Sequence, residues 1–347
     1  MSIKDFIVNT VADGYNLTKT TSLKERAESS TFHLREFNNW VKSWLILKYC
    51  PQQNANILDL ACGKGGDIPK YKLKNPAFIA FADISDESVK ECYRKYKPLS
   101  DKIKAQFIIG DSFNCNLKSL LPKITFHYSS CQFALHYAFK SQEMAEKAVA
   151  NLTDQLLPGR YISITTVNAC RLVRLFRERY DRYPPGDETS DTISNDLYLA
   201  KRNFDLKNIP PFGAGYIFYL KNAVNSIEEY LVHPKVLIDL FKAKNCELVY
   251  NKGFQEFYYE ACNSNPEAKD LYIKLLTKKT KDFSGAAMTY SEWDIIWLYS
   301  IFVFVKSGDP TEIPKNVKRY PKVSNEMSYL DAETGESKTV IVPDNPI

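Results

Sequence analysis

Leu58-Asp59-Leu60-Ala61-Cys62-Gly63-Lys64-Gly65-Gly66-Asp67 places a glycine-rich turn directly after a short apolar strand. An acidic residue, Asp83, closes the next apolar run, Phe78-Ile79-Ala80-Phe81-Ala82. Glycine lets the backbone pass close beneath a ligand, and a carboxylate at the tip of the second strand can accept both hydroxyls of a ribose. The pair predicts a nucleoside-containing cofactor at the carboxyl end of a parallel sheet. Taken alone, it leaves a dinucleotide and S-adenosylmethionine both open.

Outward from this turn, strands and helices alternate. An amphipathic helix is expected from Phe32 to Tyr49, where Phe37, Trp40, Val41, Trp44 and Leu45 recur at helical spacing ahead of Pro51. Strands are read at Asn56–Leu60, Phe78–Asp83, Ala105–Ile109, Thr125–Gln132 and Tyr161–Thr166. Helices are read at Asp86–Tyr96 and Gln142–Leu157, the second ending in a Leu157-Pro158-Gly159-Arg160 turn. Such alternation argues for an α/β fold, a doubly wound, Rossmann-like and mostly parallel sheet with helices on both faces. Arg171 to about Gly215 is charged, contains Pro184-Pro185-Gly186, and reads as excursions over the functional edge. Tyr216–Leu220 and Glu229–Val232 read as β, Pro234–Lys244 as a helix, Glu247–Tyr250 as a strand, and Trp297–Val305 as the last strand. Three segments follow: a partly flexible stretch over 1–30, one domain over 31–306, and a proline-containing tail over 307–347 that is extended or disordered.

The composition is that of an ordinary folded domain, 44% hydrophobic and 25% charged over 347 residues. A formal charge of +5 is compatible with a polyanionic partner without demanding one. Eight cysteines form no C-x-x-C pair and only four histidines are present, so neither a zinc site nor a disulfide framework is expected. No signal-like apolar run opens the chain, and Ile295–Val305 is too short to span a bilayer. A soluble protein without metal is the expectation.

The glycines at 63, 65 and 66 fit the G-x-G-x-x-G dinucleotide fingerprint poorly. A second acid, Asp111, ends the third strand where an adenine amino group would lie. S-adenosylmethionine has no phosphate for carboxylates to repel, and Asp59 and Asp67 could complement its positive charges. The pattern favours it. The plain alternative is that Asp83 and Asp111 only cap strands and helices.

Three further segments narrow the reading: Phe37-Asn38-Asn39-Trp40-Val41-Lys42, Cys131-Gln132-Phe133-Ala134-Leu135-His136-Tyr137 and Ser291-Glu292-Trp293. With Leu58–Asp67 and Ile227-Glu228-Glu229-Tyr230-Leu231-Val232 they resemble, in order from about Tyr15 to Lys306, the eukaryotic mRNA cap guanine-N7 methyltransferases. The resemblance implies a class I methyltransferase sheet with an antiparallel last strand and β-rich cap-binding insertions. It implies S-adenosylmethionine as methyl donor, S-adenosylhomocysteine as product, and no metal. Carried over residue by residue, it makes Lys42, Ala61, Gly63, Asp83, Asp111, Gln132 and Tyr137 cofactor contacts. It makes Asn38, Asn39, Lys64, Lys70, Lys95, His136, Glu229 and Tyr299 the cap-binding set. Ala61 stands where the family usually has glycine, and Lys95 where it often has arginine, losing a bidentate phosphate contact.

The implied reaction moves a methyl group to guanine N7, a nitrogen with a lone pair and no proton, so no general base is needed. Glu229, His136 and Tyr299 would act by orientation and electrostatics. Capped RNA 5′ ends are the implied substrate. Other capping enzymes, the RNA polymerase II machinery or an activating subunit are the implied partners of a monomeric, nuclear protein, although no strong import run is present. The alternatives are a methyltransferase for another RNA or small molecule, and a silent cap-binding subunit.

Overall fold

The alternating apolar runs assemble as strands of one sheet in a computed structural model that describes residues 11–16, 29–121, 124–183, 187–277, 288–310, 326–331 and 336–341. Pro184-Pro185-Gly186, within the expected excursions, lies outside these residues, as do most of the amino-terminal segment and parts of the tail. The strands are β1 Asn56–Leu60, β2 Phe78–Asp83, β3 Lys104–Ile109, β4 Phe126–Gln132, β5 Leu156–Val167, β6 Thr192–Ser194, β7 Tyr198–Arg202, β8 Gly215–Leu220, β9 Val224–Tyr230, β10 Cys246–Gly253, β11 Tyr299–Lys306, β12 Glu326–Leu330 and β13 Ser337–Ile341. The helices are α1 Val11–Asn16, α2 Phe32–Tyr49, α3 Ile68–Lys72, α4 Asp86–Tyr96, α5 Leu135–Ala138, α6 Gln142–Thr153, α7 Ala169–Arg182, α8 Pro234–Lys242, α9 Phe254–Ser264, α10 Pro266–Thr277 and α11 Tyr290–Ile296. Packing divides the chain into two units. The first comprises Leu45–Thr165, Lys235–Tyr250 and Phe302–Ile347, the second Met1–Trp44, Thr166–Pro234 and Asn251–Ile301.

The first unit is built on a nine-stranded sheet of order β10-β11-β5-β4-β1-β2-β3-β12-β13. Every residue of β1, β2 and β4 is buried, which is why these strands read as nearly continuous apolar runs rather than alternating ones. β1 pairs in parallel with both β2 and β4, and β2 with β3. The inner order 3-2-1-4-5 reverses direction between β1 and β4, the point where such sheets open a crevice at their carboxyl ends. Phe81 and Phe107 stack with centroids 5.2 Å apart, and Tyr96 of α4 meets Phe107 edge-on. Ser85 caps α4 by accepting the Ser88 N–H. The Asn168 N–H donates to the Leu298 carbonyl and the Ser307 N–H to the Asn245 carbonyl. The end of β5 therefore lies beside the start of β11, and the end of β11 beside the start of β10, so both pairings run antiparallel.

The second unit holds an antiparallel sheet of order β6-β7-β8-β9. Phe37 and Trp40 of α2 pack their rings with Tyr258 of α9 and Tyr272 of α10, and the Trp40 indole N–H donates to the Ala268 carbonyl at 2.8 Å. Glu292 closes a reciprocal cap with Thr289 at the start of α11 and also accepts the Leu34 N–H.

Several boundaries differ from the sequence expectation. The expected turn at Pro158-Gly159 is an irregularity inside β5: Gly159 takes φ +69 and the strand continues through it. The α6 helix stops at Thr153, and Leu156 and Leu157, expected in its last turn, belong to β5. The charged stretch read as excursions from Arg171 opens within a fourteen-residue helix, α7, which starts at Ala169. Helix α11 runs to Ile296, and the last strand starts at Tyr299 rather than at Trp297. Within the tail expected to be extended or disordered, β12 joins β3 in parallel and β13 joins β12. Met327 is buried in the core beneath them, which supplies the apolar anchor that the proline-rich composition obscured.

Candidate functional site

The turn after β1 is held by backbone contacts: the Cys62 N–H donates to the Ala82 carbonyl at 3.0 Å and the Gly65 N–H to the Cys62 carbonyl at 3.2 Å. Gly63 and Gly65 take φ +53 and +69, and Ala61 takes φ +60, the left-handed region that costs an L side chain about 1–2 kcal/mol. A Cβ on Gly65 would lie 2.7 Å from Ile68 Cδ1 and 2.9 Å from Cys92 Sγ, whereas one on Gly63 meets no atom within 4 Å. Asp83, at the tip of β2, accepts the Gly63 N–H at 2.8 Å through Oδ2 and the Ser85 N–H at 2.9 Å through Oδ1. Burial pushes the Asp83 carboxyl above its ordinary range, and the N–H groups of Ser85, Gly63 and Ile84 pull it back. Asp67 stands at the N-cap of α3, where its carboxylate pairs with Lys70 at 2.8 Å. A pyrophosphate bound at this helix start would meet that carboxylate. The donor set, acids with open space at Gly63, suits a cationic nucleoside without phosphate.

The other expected residues of the first unit take definite places. Asp111 follows β3 and accepts the Phe113 N–H at 3.0 Å and the Asn114 amide at 2.8 Å. The Gln132 amide, at the end of β4, donates to Ser130 Oγ and the Ser163 carbonyl, and its oxygen accepts from Thr165. His136 and Tyr137 form α5, buried, with ring centroids 4.3 Å apart. The Lys95 ammonium donates to the Lys64 carbonyl at 2.7 Å, so α4 is tied to the glycine turn. Lys70 donates to the Gly66 carbonyl at 3.0 Å besides its pairing with Asp67, so its charge is already matched within the turn.

In the second unit, Asn38, Asn39 and Lys42 lie on α2, all half-buried. The Asn38 side-chain oxygen is buried with no hydrogen-bond partner among the described residues. Glu229, on β9, is only 3% exposed, and its Oε2 accepts the Tyr216 hydroxyl at 2.6 Å. Tyr216 is fully buried, and burial first, then the Glu229 charge, push its hydroxyl well above the ordinary tyrosine value. Tyr299, at the start of β11, is an electrostatic neighbour of Tyr216 and packs its ring 5.7 Å from Phe254.

The structure thus groups Gly63 with Asp83 and Lys64 with Lys95 in one unit, and Glu229 with Tyr299 around Tyr216 in the other. Tyr216 was not singled out in the sequence. The available signal was the strand pairing, because residues of two adjacent β runs joined by a short turn face one another, and Tyr216 and Glu229 are register partners. Ser130, Ser163 and Thr165 likewise carried no motif, yet they hold Gln132.

Residues 4–307 match the mRNA (guanine-N(7))-methyltransferase domain family. The chain is 31% identical over 335 residues to mRNA cap guanine-N(7) methyltransferase 1 of Arabidopsis thaliana, covering 93% of this chain and 89% of that protein. It is 32% identical to mRNA cap guanine-N(7) methyltransferase 1 of Oryza sativa subsp. japonica, covering 86% and 82%. It is 28% identical to mRNA cap guanine-N(7) methyltransferase of Drosophila melanogaster, covering 85% and 76%.

Proposed function

The chain belongs to the mRNA (guanine-N(7))-methyltransferase family, and from that premise we propose that it transfers a methyl group from S-adenosylmethionine to N7 of the terminal guanosine of capped RNA. The observation that carries the substrate side is Glu229, a buried carboxylate held by a tyrosine hydroxyl. Guanine offers an N1–H and an exocyclic amine side by side, a donor pair that a carboxylate accepts and that adenine lacks. The buried, low-dielectric setting strengthens such a contact and makes its loss costly.

S-adenosylmethionine, when bound, supplies a methyl group on a sulfonium. Asp83 would hold the ribose hydroxyls, its orientation set by the Gly63 and Ser85 N–H groups. Asp111 would serve the adenine end, and Lys42, Gln132, Tyr137 and the turn at Ala61–Gly63 the remainder. Glu229 would stabilise the positive charge that develops on the purine during transfer. Because N7 carries no proton, these residues need to position and to stabilise, not to move a proton. His136 and Tyr299 would line the guanine, Asn38 and Asn39 the cap nucleoside, and Lys64 the phosphate bridge. Lys95 supports Lys64 through its carbonyl, and Lys70 has its charge taken by Asp67. Both therefore act on the turn first and on phosphate second. A nuclear location is part of the same proposal, because capped transcripts are made there.

The test is incubation with methyl-labelled S-adenosylmethionine and GpppA-capped RNA, followed by nuclease digestion. Label in m7GpppA supports the proposal, and its absence from the cap guanine overturns it. Glu229→Ala is expected to bind the cofactor normally and to lose methylation by at least about 100-fold. Loss of cofactor binding instead would place Glu229 in the other site.

A further inference from the structure

Helix α7 carries five arginines against two acids in fourteen residues, and neither the cofactor nor the guanine reading uses any of them. Its buried stripe is Ala169, Leu172 and Phe176. At 3.6 residues per turn, Arg171, Arg174 and Arg182 share a stripe away from it, with Arg177 beside them. Not all of these charges are available. Arg174 pairs with Glu178 at 2.7 Å, and Arg202 on β7 pairs with Asp191. Arg171, Arg177 and Arg182 remain on that side over about 16 Å of helix axis, Arg177 also donating to the Leu206 carbonyl, while Arg179 lies on the opposite flank from Arg177.

Aromatic rings interleave with this charge in the same unit. The Arg171 guanidinium lies 5.0 Å from the centroid of the half-exposed Trp297 ring, and that of Arg179 lies 4.1 Å from Tyr183. The Arg179 Nε–H donates to the Thr189 carbonyl, and the Arg202 guanidinium lies 5.6 Å from the centroid of the Tyr180 ring. Stacking holds a guanidinium plane in place while leaving edge N–H groups for phosphate. Arginines interleaved with the exposed Trp297 and the half-buried Tyr180 and Tyr183 suit a single-stranded nucleic acid, with phosphate on the cations and bases on the rings.

We propose that the arginine face of α7 binds the RNA chain that follows the cap, as a phosphate-tracking surface without sequence preference. This inference rests on the cap-methyltransferase reading for its substrate but not for its chemistry. The face explains how the enzyme would prefer an RNA end over a free cap nucleotide, because only the RNA has phosphates beyond the bridge.

The experiment compares wild type with Arg177→Gln/Arg182→Gln, two exposed positions outside the residues assigned to cofactor and guanine. KM is measured for capped 20-nucleotide RNA and for the GpppA dinucleotide, and binding of uncapped single-stranded RNA is followed by fluorescence anisotropy across a salt series. The double variant is expected to raise KM for the capped RNA several-fold, to leave the dinucleotide unchanged, and to lower the slope of log affinity against log salt by about 1.4. Unchanged RNA affinity and slope would overturn the proposal, as would an equal loss on the dinucleotide. If wild type methylates neither substrate, the cap reading fails, and the anisotropy series still decides the RNA surface by itself.

Discussion

The Tyr216 hydroxyl donates a 2.6 Å hydrogen bond to Oε2 of Glu229, across the β8–β9 ladder in which the two residues are register partners. A carboxylate only 3% exposed needs such a donor, because burying a charge without hydrogen bonds costs several kcal/mol. Burial and the carboxylate both hold the phenol protonated, so it remains a donor at any physiological pH. Tyr216→Phe is therefore expected to lower kcat/KM for the capped substrate roughly 10- to 100-fold, the worth of one hydrogen bond to a charged group. The dissociation constant of S-adenosylmethionine, measured by calorimetry, should not move. A cofactor affinity that fell with the activity would argue against Tyr216 acting through Glu229.

Asp83→Ala is expected to weaken S-adenosylmethionine binding roughly 10- to 100-fold, through loss of charged hydrogen bonds to the ribose. Burial raises the Asp83 carboxyl above its unfolded value. In the free protein this costs stability above the raised value and returns it as pH falls through it, because the folded state then binds the extra proton. Cofactor binding runs the other way, since a protonated carboxyl accepts fewer hydrogen bonds. Calorimetric titrations on the acid side of neutrality should show affinity falling earlier than an ordinary aspartate would give, and Asp83→Asn should flatten that fall.

The two glycines of the turn separate stability from binding. Gly65→Ala combines a left-handed backbone with contacts of 2.7 and 2.9 Å to Ile68 and Cys92, and such overpacking costs about 1–3 kcal/mol. Gly63→Ala meets nothing within 4 Å and carries only the left-handed cost of about 1–2 kcal/mol. Thermal denaturation should show the larger loss of Tm for Gly65→Ala. Calorimetry should show the larger loss of cofactor affinity, relative to the loss of Tm, for Gly63→Ala, whose methyl group would enter the open space beside Asp83.

His127 on β4 is expected to contribute to acid sensitivity. Its Nδ1 accepts the Asn56 N–H at 3.0 Å, and burial, helped by Arg160, lowers its pKa from 6.5 to about 4. The unfolded chain therefore takes up a proton that the fold refuses. The stability that neutral His127 allows is fully present above pH 6.5 and is lost progressively as pH falls toward 4. Denaturant titrations should show this slope, and His127→Gln should reduce it between those limits.

Much of the first unit could be read from residue order alone, because strands buried on both faces appear as unbroken apolar runs and Ser85 marks the start of α4. The observed bounds of β1, β2 and α4 coincide with the expected ones. The second unit was less visible. The α7 helix is strongly charged, so its three-residue buried stripe is hidden among arginines, and exposed Tyr259 on α9 and Ile273 on α10 blur the period of those helices. β12 and β13 are held by pairing at an edge rather than by an apolar run of their own, and only Met327 and Leu330 announce them. At the site, Asp83 and its turn were legible from glycine spacing. Tyr216 was not, because strand pairing is a relation between segments that no single motif carries.

Methylation at N7 of a cap guanine is isolated by offering methyl-labelled S-adenosylmethionine with two capped RNAs that differ at one atom, a GpppA cap and its 7-deazaguanosine counterpart. The Watson–Crick edge that Glu229 would read is the same in both, while the accepting lone pair is present in only one. The expected result is label on the GpppA-capped RNA alone, with the 7-deaza RNA acting as a competitive inhibitor. Label on the 7-deaza cap, or equal label on an ApppA-capped RNA, would contradict it.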